Sequence, residues 1–360
     1  MLIFLTKEKL LALLKKYKTL FDGTLGRWKG SPYKINTKEG AMSHHERPFP
    51  VPKIHELTLK SDIDRLVRAG ILRKVNRSEW AAPTFIIPKK DGTVRFISDF
   101  RELNRRIRRT PYPIPKIQDL LLKLEGFKYG TALDLNMGYY HIELSSESKE
   151  LCTIKTQWRK CEYQRLPMGL CNSPDIFQEK MSELLTGLDT VRVYIDDILH
   201  VTKGSFDDHL QKLDTIFSRL ESVGLKVNFD KSNFATNSLD YLGYHITRTD
   251  ITPIPKNIEA IRAIKTPKTR KQLRSFLGMI NFYRDMWSQR ASLLAPLSAL
   301  TSVNVKFIWK EEHQKSFEAI KGFLSEKCCV HTQISTDLLK YTQMLVKHKL
   351  ALSFSKVESQ

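Results

Sequence analysis

Apolar residues at the start of the chain fall at helical spacing. The run Met1-Leu-Ile-Phe-Leu5 is broken by Lys7, Glu8 and Lys9, and Leu10, Leu13, Leu14 and Tyr17 then continue on one face. This pattern predicts an amphipathic helix, and the opening lacks the basic stretch and longer apolar run of a secretory leader. A polar, Gly-containing stretch from Phe21 to Gly40 follows, and then Pro48, Pro50 and Pro52 force extended chain. Ser61 is the candidate cap of the next helix, with Ile63, Leu66 and Val67 as its apolar face and Gly70 at its stop.

The period then shortens to two. Phe85-Ile-Ile and Val94-Arg-Phe-Ile97 flank Lys89-Lys-Asp-Gly92, which predicts a hairpin. The proline-rich link Pro111-Tyr-Pro-Ile-Pro115 leads into a helix carrying Ile117, Leu120, Leu121 and Leu124. Strand-like runs follow at 131–135 and 139–144, a hairpin-like run at 191–200, a helix at 208–223 and a strand near 241–246. After Pro253 and Pro255 the pattern is helical, with Leu273, Phe276, Leu277, Ile280, Tyr283 and Trp287 on one face, a stripe that reads as core. Lys268, Arg270, Lys271 and Arg274 crowd the start of that helix, as a phosphate contact or as a solvated basic turn. Mixed strands and helices followed by helices predict an α+β body with a helical appendage. Nothing approaches the ~18 consecutive apolar residues of a membrane span, so a soluble protein is expected.

Charge sharpens this picture. Fifty-nine Lys and Arg against 39 Asp and Glu leave +20 over 360 residues, a balance that favours a polyanionic partner such as nucleic acid. Cys152, Cys161, Cys171, Cys328 and Cys329 form no C-x-x-C pair, so reduced thiols are expected rather than a zinc site.

The candidate chemistry lies in Val193-Tyr-Ile-Asp-Asp-Ile-Leu199. Adjacent carboxylates among apolar strand formers are costly unless a turn projects them and a cation meets them. The expected arrangement is a hairpin with its tight turn at Asp196-Asp197. A second carboxylate strand, Ala132-Leu-Asp-Leu135, would bring Asp134 to face that pair if the two lie side by side. Three carboxylates suit two Mg²⁺ ions, with Mn²⁺ as an alternative, serving in-line phosphoryl transfer.

From about residue 50 to about 325 the sequence resembles the reverse transcriptases of gypsy-type LTR retrotransposons and, more distantly, the retroviral enzymes. The resemblance is carried, in order, by Ser78-Glu-Trp-Ala-Ala-Pro83, Pro88-Lys-Lys-Asp-Gly92, Asp99-Phe-Arg-Glu-Leu-Asn104, Leu133-Asp-Leu through Gly138-Tyr139, and Leu166-Pro-Met-Gly-Leu170. It continues through Ser173-Pro-Asp-Ile-Phe-Gln178, Tyr194-Ile-Asp-Asp197, Tyr241-Leu-Gly243 and Phe276-Leu-Gly-Met-Ile-Asn-Phe-Tyr283. It implies a right-hand polymerase after an N-terminal extension (1–45). Fingers and palm would occupy 46–248, with fingers near 46–108 and 142–165, and a thumb with the start of a connection 249–326.

The implied activity is addition of dNTPs to a primer on an RNA or DNA template. Asp134 and Asp196 would ligate both metals, Asp197 would complete the acidic site, and the Leu135 backbone would join them. Asn136, Met137 and Gly138 would lie by the triphosphate, and Tyr139 would exclude a ribose 2′-hydroxyl. Lys90 and Arg95 would grip the triphosphate, Met168 and Gly169 would pack against nucleotide and templating base, and Leu242, Gly243 and Tyr244 would form the primer grip. The family also implies cytoplasmic particles, with the nucleus as the alternative location and no membrane partner. The rival reading is a catalytically inactive, nucleic-acid-binding remnant.

The resemblance ends near Glu326. Residues 327–360 hold only Asp337 and Glu358 as acidic side chains, so no RNase H domain is expected there, and no protease or integrase signal is found. The chain is expected to be a fragment of a longer polyprotein or the product of a decayed element.

Overall fold

Alternation of side chains along Tyr129–Leu135 and Asp197–Thr202 gives one sheet two different cores. Leu133, Leu135 and Ile198 enter one cluster, while Ala132, Leu199 and Val201 enter the other. The protein is described by a computed structural model covering residues 2–88, 94–122, 124, 126–284 and 290–329. In the central sheet Tyr129–Leu135 lies between Asp197–Thr202 and Val227–Thr236, with Val191–Tyr194 on the outer edge and every pairing antiparallel. Helices Ser173–Leu184 and Phe206–Ser222 contribute Phe177, Met181, Leu213, Ile216, Phe217 and Leu220 to the first core.

The amphipathic helix Leu2–Lys16 is part of that same core. Leu10 and Leu14 are buried, and Tyr17 and Phe21 meet Phe217 edge-on with ring centroids 5.5 and 5.3 Å apart. Lys9–Asp207 and Lys16–Asp214 pairs at 2.7 and 2.5 Å bind its outer side to helix Phe206–Ser222.

A five-stranded sheet runs in the order Leu72–Val75, Lys160–Tyr163, Thr153–Lys155, Ala82–Pro88, Val94–Ser98. Its one parallel pairing joins Ala82–Pro88 to Thr153–Lys155. A three-stranded sheet, Ser238–Tyr241, Tyr244–Thr247 and Ile251–Pro253, leads into helices Pro255–Arg262, Arg270–Asn281, Arg290–Ala299 and Glu311–Cys329. Leu273, Phe276, Ile280 and Tyr283 are buried there with Leu297, Phe317 and Ile320, so the aromatic stripe is core as expected, while Trp287 lies outside the described residues. The architecture is α+β. Among the described residues no helix is long and apolar enough to cross a membrane.

Four local expectations change. The strand expected near 241–246 is a hairpin, Ser238–Tyr241 against Tyr244–Thr247, because Leu242 and Gly243 both take positive φ. Helix Lys53–Arg68 starts directly after Pro52, so Ser61 is interior; fixed proline φ immediately before the first turn suffices to start it. Within the run 139–144 only the second half is extended, with Glu143 and Leu144 in bridges to Arg165 and Tyr33; the first half is a 3-10 turn, Gly138–His141, entered from Met137 at left-handed φ 60°. The hairpin that carries the paired aspartates turns at Ile195-Asp196 and not at Asp196-Asp197, since Tyr194 pairs directly with Asp197.

Candidate active site

Asp134 and Asp197 are Cα partners across neighbouring antiparallel strands. Directly opposed residues project to one face with Cβ atoms about 4.5–5.5 Å apart. Asp196, in the two-residue turn, sits beside them. These carboxylates stand at the end of the sheet, on the face that carries Ala132 and Leu199 deeper in. Burial, and then the Asp134 charge, raises the Asp196 pKa above the usual carboxylate range. Asp197 is pushed up to about 6 by burial and by Asp196 and Asp134. The site thus holds more negative charge than its surroundings neutralise. Lys231 Nζ is the nearby cation, 3.7 Å from Asp134 Oδ1.

The turn that aims Asp196 is strained. Ile195 has φ 56°, a β-branched residue in a region that favours glycine, at a cost of about 1–3 kcal/mol. Gln178, buried on helix Ser173–Leu184, holds it there: its Oε1 accepts from Ile195 N–H at 2.7 Å. Its Nε2 donates to Ser182 Oγ at 3.0 Å and to Val193 O at 3.3 Å. No role was expected for Gln178; the available signal was an amide among the apolar positions of a helix that must face the hairpin.

Gly138 meets Asp196 from the other side. A Cβ there would stand 3.3 Å from Asp196 Cβ and 3.6 Å from its Oδ2, so only glycine permits this approach without displacement. Tyr139 is half-buried, edge-on to Phe177 at 5.4 Å, and burial together with the Asp196 charge holds its phenol well above the usual range. The Leu135 side chain is core, so only its backbone is available to a metal. Asn136 donates its N–H to Lys226 O at 2.9 Å and its side-chain amide to Gly23 O and Thr24 O at 3.0 and 2.9 Å.

Met168 is 53% exposed, and Gly169 has φ 95°. Asn104 holds this turn, donating to Gly169 O at 2.8 Å and accepting from Cys171 N–H at 2.8 Å, a second positioning residue that the sequence alone did not single out. Leu242 and Gly243 form the two-residue turn between Tyr241 and Tyr244 with φ 47° and 84°. Positive φ at both centres suits a tightly twisted hairpin. Tyr244 is buried, stacks on Phe282 at 5.6 Å and donates to Phe282 O at 3.2 Å. Burial first, and then the Asp197 charge, raise the pKa of neighbouring Tyr241. Lys90 lies outside the described residues; Arg95 pairs through its backbone with Ile87, and its side chain lies outside them. Arg270 and Arg274 donate to carbonyls of Leu300, Thr301 and Val305, so half of that basic cluster braces the helices.

Residues 87–246, which hold every one of these carboxylates, match the family model "Reverse transcriptase (RNA-dependent DNA polymerase)". Over these residues the chain is similar in sequence to reverse transcriptases. It is 30% identical over 288 residues to the retrovirus-related Pol polyprotein from transposon 297 of Drosophila melanogaster, covering 78% of this chain and 27% of that one. It is 29% identical over 317 residues to the transposon Tf2-3 polyprotein of Schizosaccharomyces pombe, covering 87% and 24%. The chain therefore spans about a quarter of the length of these relatives. Among solved structures it resembles the foamy viral protease-reverse transcriptase in complex with RNA/DNA hybrid, with TM-score 0.82, 27% identity, and coverage of 89% of this chain and 44% of that one. The foamy viral protease-reverse transcriptase dRH in complex with double-stranded DNA gives TM-score 0.81 and 28% identity over 88% of this chain and 56% of that one.

Reverse transcriptases use divalent metal ions, and the donor set here can be tested against that use. The opposed carboxylates are hard oxygen donors carrying uncompensated charge, which suits such ions. Among the described residues no three acidic, imidazole or thiol side chains are already drawn together as a metal cage. The carboxylates fit such ions in chemistry, and the register sets Asp134 and Asp197 on one face of the sheet.

Proposed function

We propose that this chain is the polymerase segment of a gypsy-type LTR-retrotransposon Pol protein, an RNA-directed DNA polymerase that extends a primer 3′-hydroxyl with dNTPs. The observation that carries the reading is the register Asp134 opposite Asp197 with Asp196 at the turn between strands. Mg²⁺ ions held by Asp134, Asp196 and Asp197 would supply neutralisation of charge at the attacking and leaving oxygens. The protein's part is position. Gln178 fixes the turn and Gly138 lets its loop rest on Asp196, while the Tyr139 ring would meet a ribose 2′-hydroxyl. Lys90 and Arg95 would meet the triphosphate, Met168 and Gly169 the nascent pair, and residues 242–244 the primer end.

The duplex partner is supported by the net charge of +20 and by the nucleic-acid complexes of the foamy viral relative. For location we propose cytoplasmic particles. The test is primer extension on poly(rA)/oligo(dT) with Mg²⁺ or Mn²⁺. RNA-templated dTMP incorporation supports the reading; duplex binding without incorporation by either metal replaces it with an inactive nucleic-acid-binding remnant.

A further inference from the structure

The loop that rests on Asp196 has its support outside the sequence blocks that resemble other polymerases. Residues 22–29 run between this loop and the connection from helix Phe206–Ser222 to strand Val227–Thr236. On one side Arg27 and Lys29 donate backbone N–H bonds to Gly224 O and Val223 O at 3.1 and 2.9 Å. On the other, Trp28 N–H donates to His141 O at 2.8 Å, and Gly23 O and Thr24 O receive the Asn136 amide. The approach tolerates no side chain: a Cβ on Gly26 would stand 2.3 Å from Gly224 O and 2.5 Å from the His141 ring.

His141 closes the frame. Its fully buried ring has Nδ1 2.8 Å from Gly138 O and Nε2 3.1 Å from Lys226 N. Lys226 N–H can only donate, so Nε2 accepts and Nδ1–H donates to Gly138 O: one neutral tautomer satisfies both ends. The Lys226 side chain then binds Asp22 Oδ2 at 2.6 Å and also donates to Thr19 O. Burial depresses the His141 pKa to about 4, in keeping with a ring that works as a neutral bridge.

We propose that the 22–29 strap and His141 are a positioning device for residues 136–139, setting how tightly the polymerase site binds its incoming nucleotide. His141 touches no reacting atom in this scheme; it acts through the Gly138 carbonyl, and Lys226 acts through the strap. The inference rests on the polymerase reading for its kinetic consequence. The positioning itself can be read without any activity.

Three variants of the full chain decide it: His141→Ala, His141→Gln, whose amide can both donate and accept, and Lys226→Met, which cuts only the peripheral tie. Hydrogen exchange of the 137–140 amides is expected to quicken at least tenfold in His141→Ala and about threefold in Lys226→Met, with strand Asp197–Thr202 unchanged and His141→Gln near the parent. In primer extension, KM for dTTP should rise about tenfold in His141→Ala with kcat within threefold and duplex affinity unchanged, and His141→Gln should restore it. If His141→Ala does not fold, Lys226→Met carries the same comparison at its smaller amplitude. Loop exchange and KM that stay at parent values in folded Lys226→Met and His141→Ala overturn the inference and leave the polymerase reading standing. A parent that incorporates nothing overturns the polymerase reading, while the exchange data still decide the strap.

Discussion

Gln178→Met is the most informative single change at the hairpin. Methionine fills nearly the same volume, so the core of helix Ser173–Leu184 keeps its packing. The lost interactions are the acceptor for Ile195 N–H at 2.7 Å, the longer bond to Val193 O at 3.3 Å and the bond to Ser182 Oγ at 3.0 Å, whose hydroxyl can turn to another partner. Leaving half-buried backbone groups without partners costs up to about 1–3 kcal/mol each, and the longer bond belongs at the low end, for a sum of at most about 3 kcal/mol. Against this the turn has an escape. Ile195 at φ 56° stores about 1–3 kcal/mol that a relaxed turn would release.

The net loss of stability is therefore modest, about 0–2 kcal/mol, because the turn rearranges. Asp196 then moves, and a displacement of about 1 Å at a reacting centre costs about 10²-fold in rate. The expected phenotype is a folded protein with kcat down about a hundredfold in single-nucleotide extension and duplex binding within threefold of the parent. Adding Ile195→Gly, which removes the φ penalty, should recover part of the loss in a double-mutant cycle. A Gln178→Met variant with kcat within threefold of the parent would refute the reasoning.

Tyr139→Ala should raise rNTP incorporation relative to dNTP by about a hundredfold, read from competing extension; unchanged discrimination would remove Tyr139 from that role. His200 is fully buried, stacked 4.5 Å from His209, and burial holds it at about 4. That is below the ~6.5 of an unfolded histidine, so its contribution is complete above pH 6.5 and is lost as pH falls toward 4, about 3 kcal/mol in all. His200→Leu should flatten that part of the stability–pH curve by about one proton; an unchanged slope would show the group does not matter. Leu14→Ala, at a fully buried position, should cost about 3 kcal/mol in urea unfolding, whereas a helix Leu2–Lys16 that merely rests on the surface would give less than 0.5.

The acidic residues were legible because charge is expensive in strands as apolar as Val191–Tyr194 and Tyr129–Leu135, and only a functional role or a cation offsets that cost. The turn was misplaced by one residue because Asp-Asp is the better turn former by local chemistry. The structure uses Ile195 instead, held by Gln178 from 17 positions away. Tyr139 to His141 begin a strand-like run, yet the left-handed Met137 and the bond between His141 and Lys226, 85 positions apart, make them a tight turn, and the extended path starts only at Ile142. Local pattern gives elements and the residues that cannot be apolar by accident. It does not give the partners that long-range packing brings to them, and the roles of Gln178, Asn104 and His141 are all of that kind.

The central claim is that Asp134, Asp196 and Asp197 form the polymerase centre. Its most direct test is single-turnover extension of an RNA-templated primer by the parent and by Asp196→Asn, with duplex affinity measured for both. The account predicts extension by the parent, a loss of at least about 10³-fold in the variant, and duplex affinities within threefold of each other. An Asp196→Asn protein that extends primers at the parent's rate would contradict it.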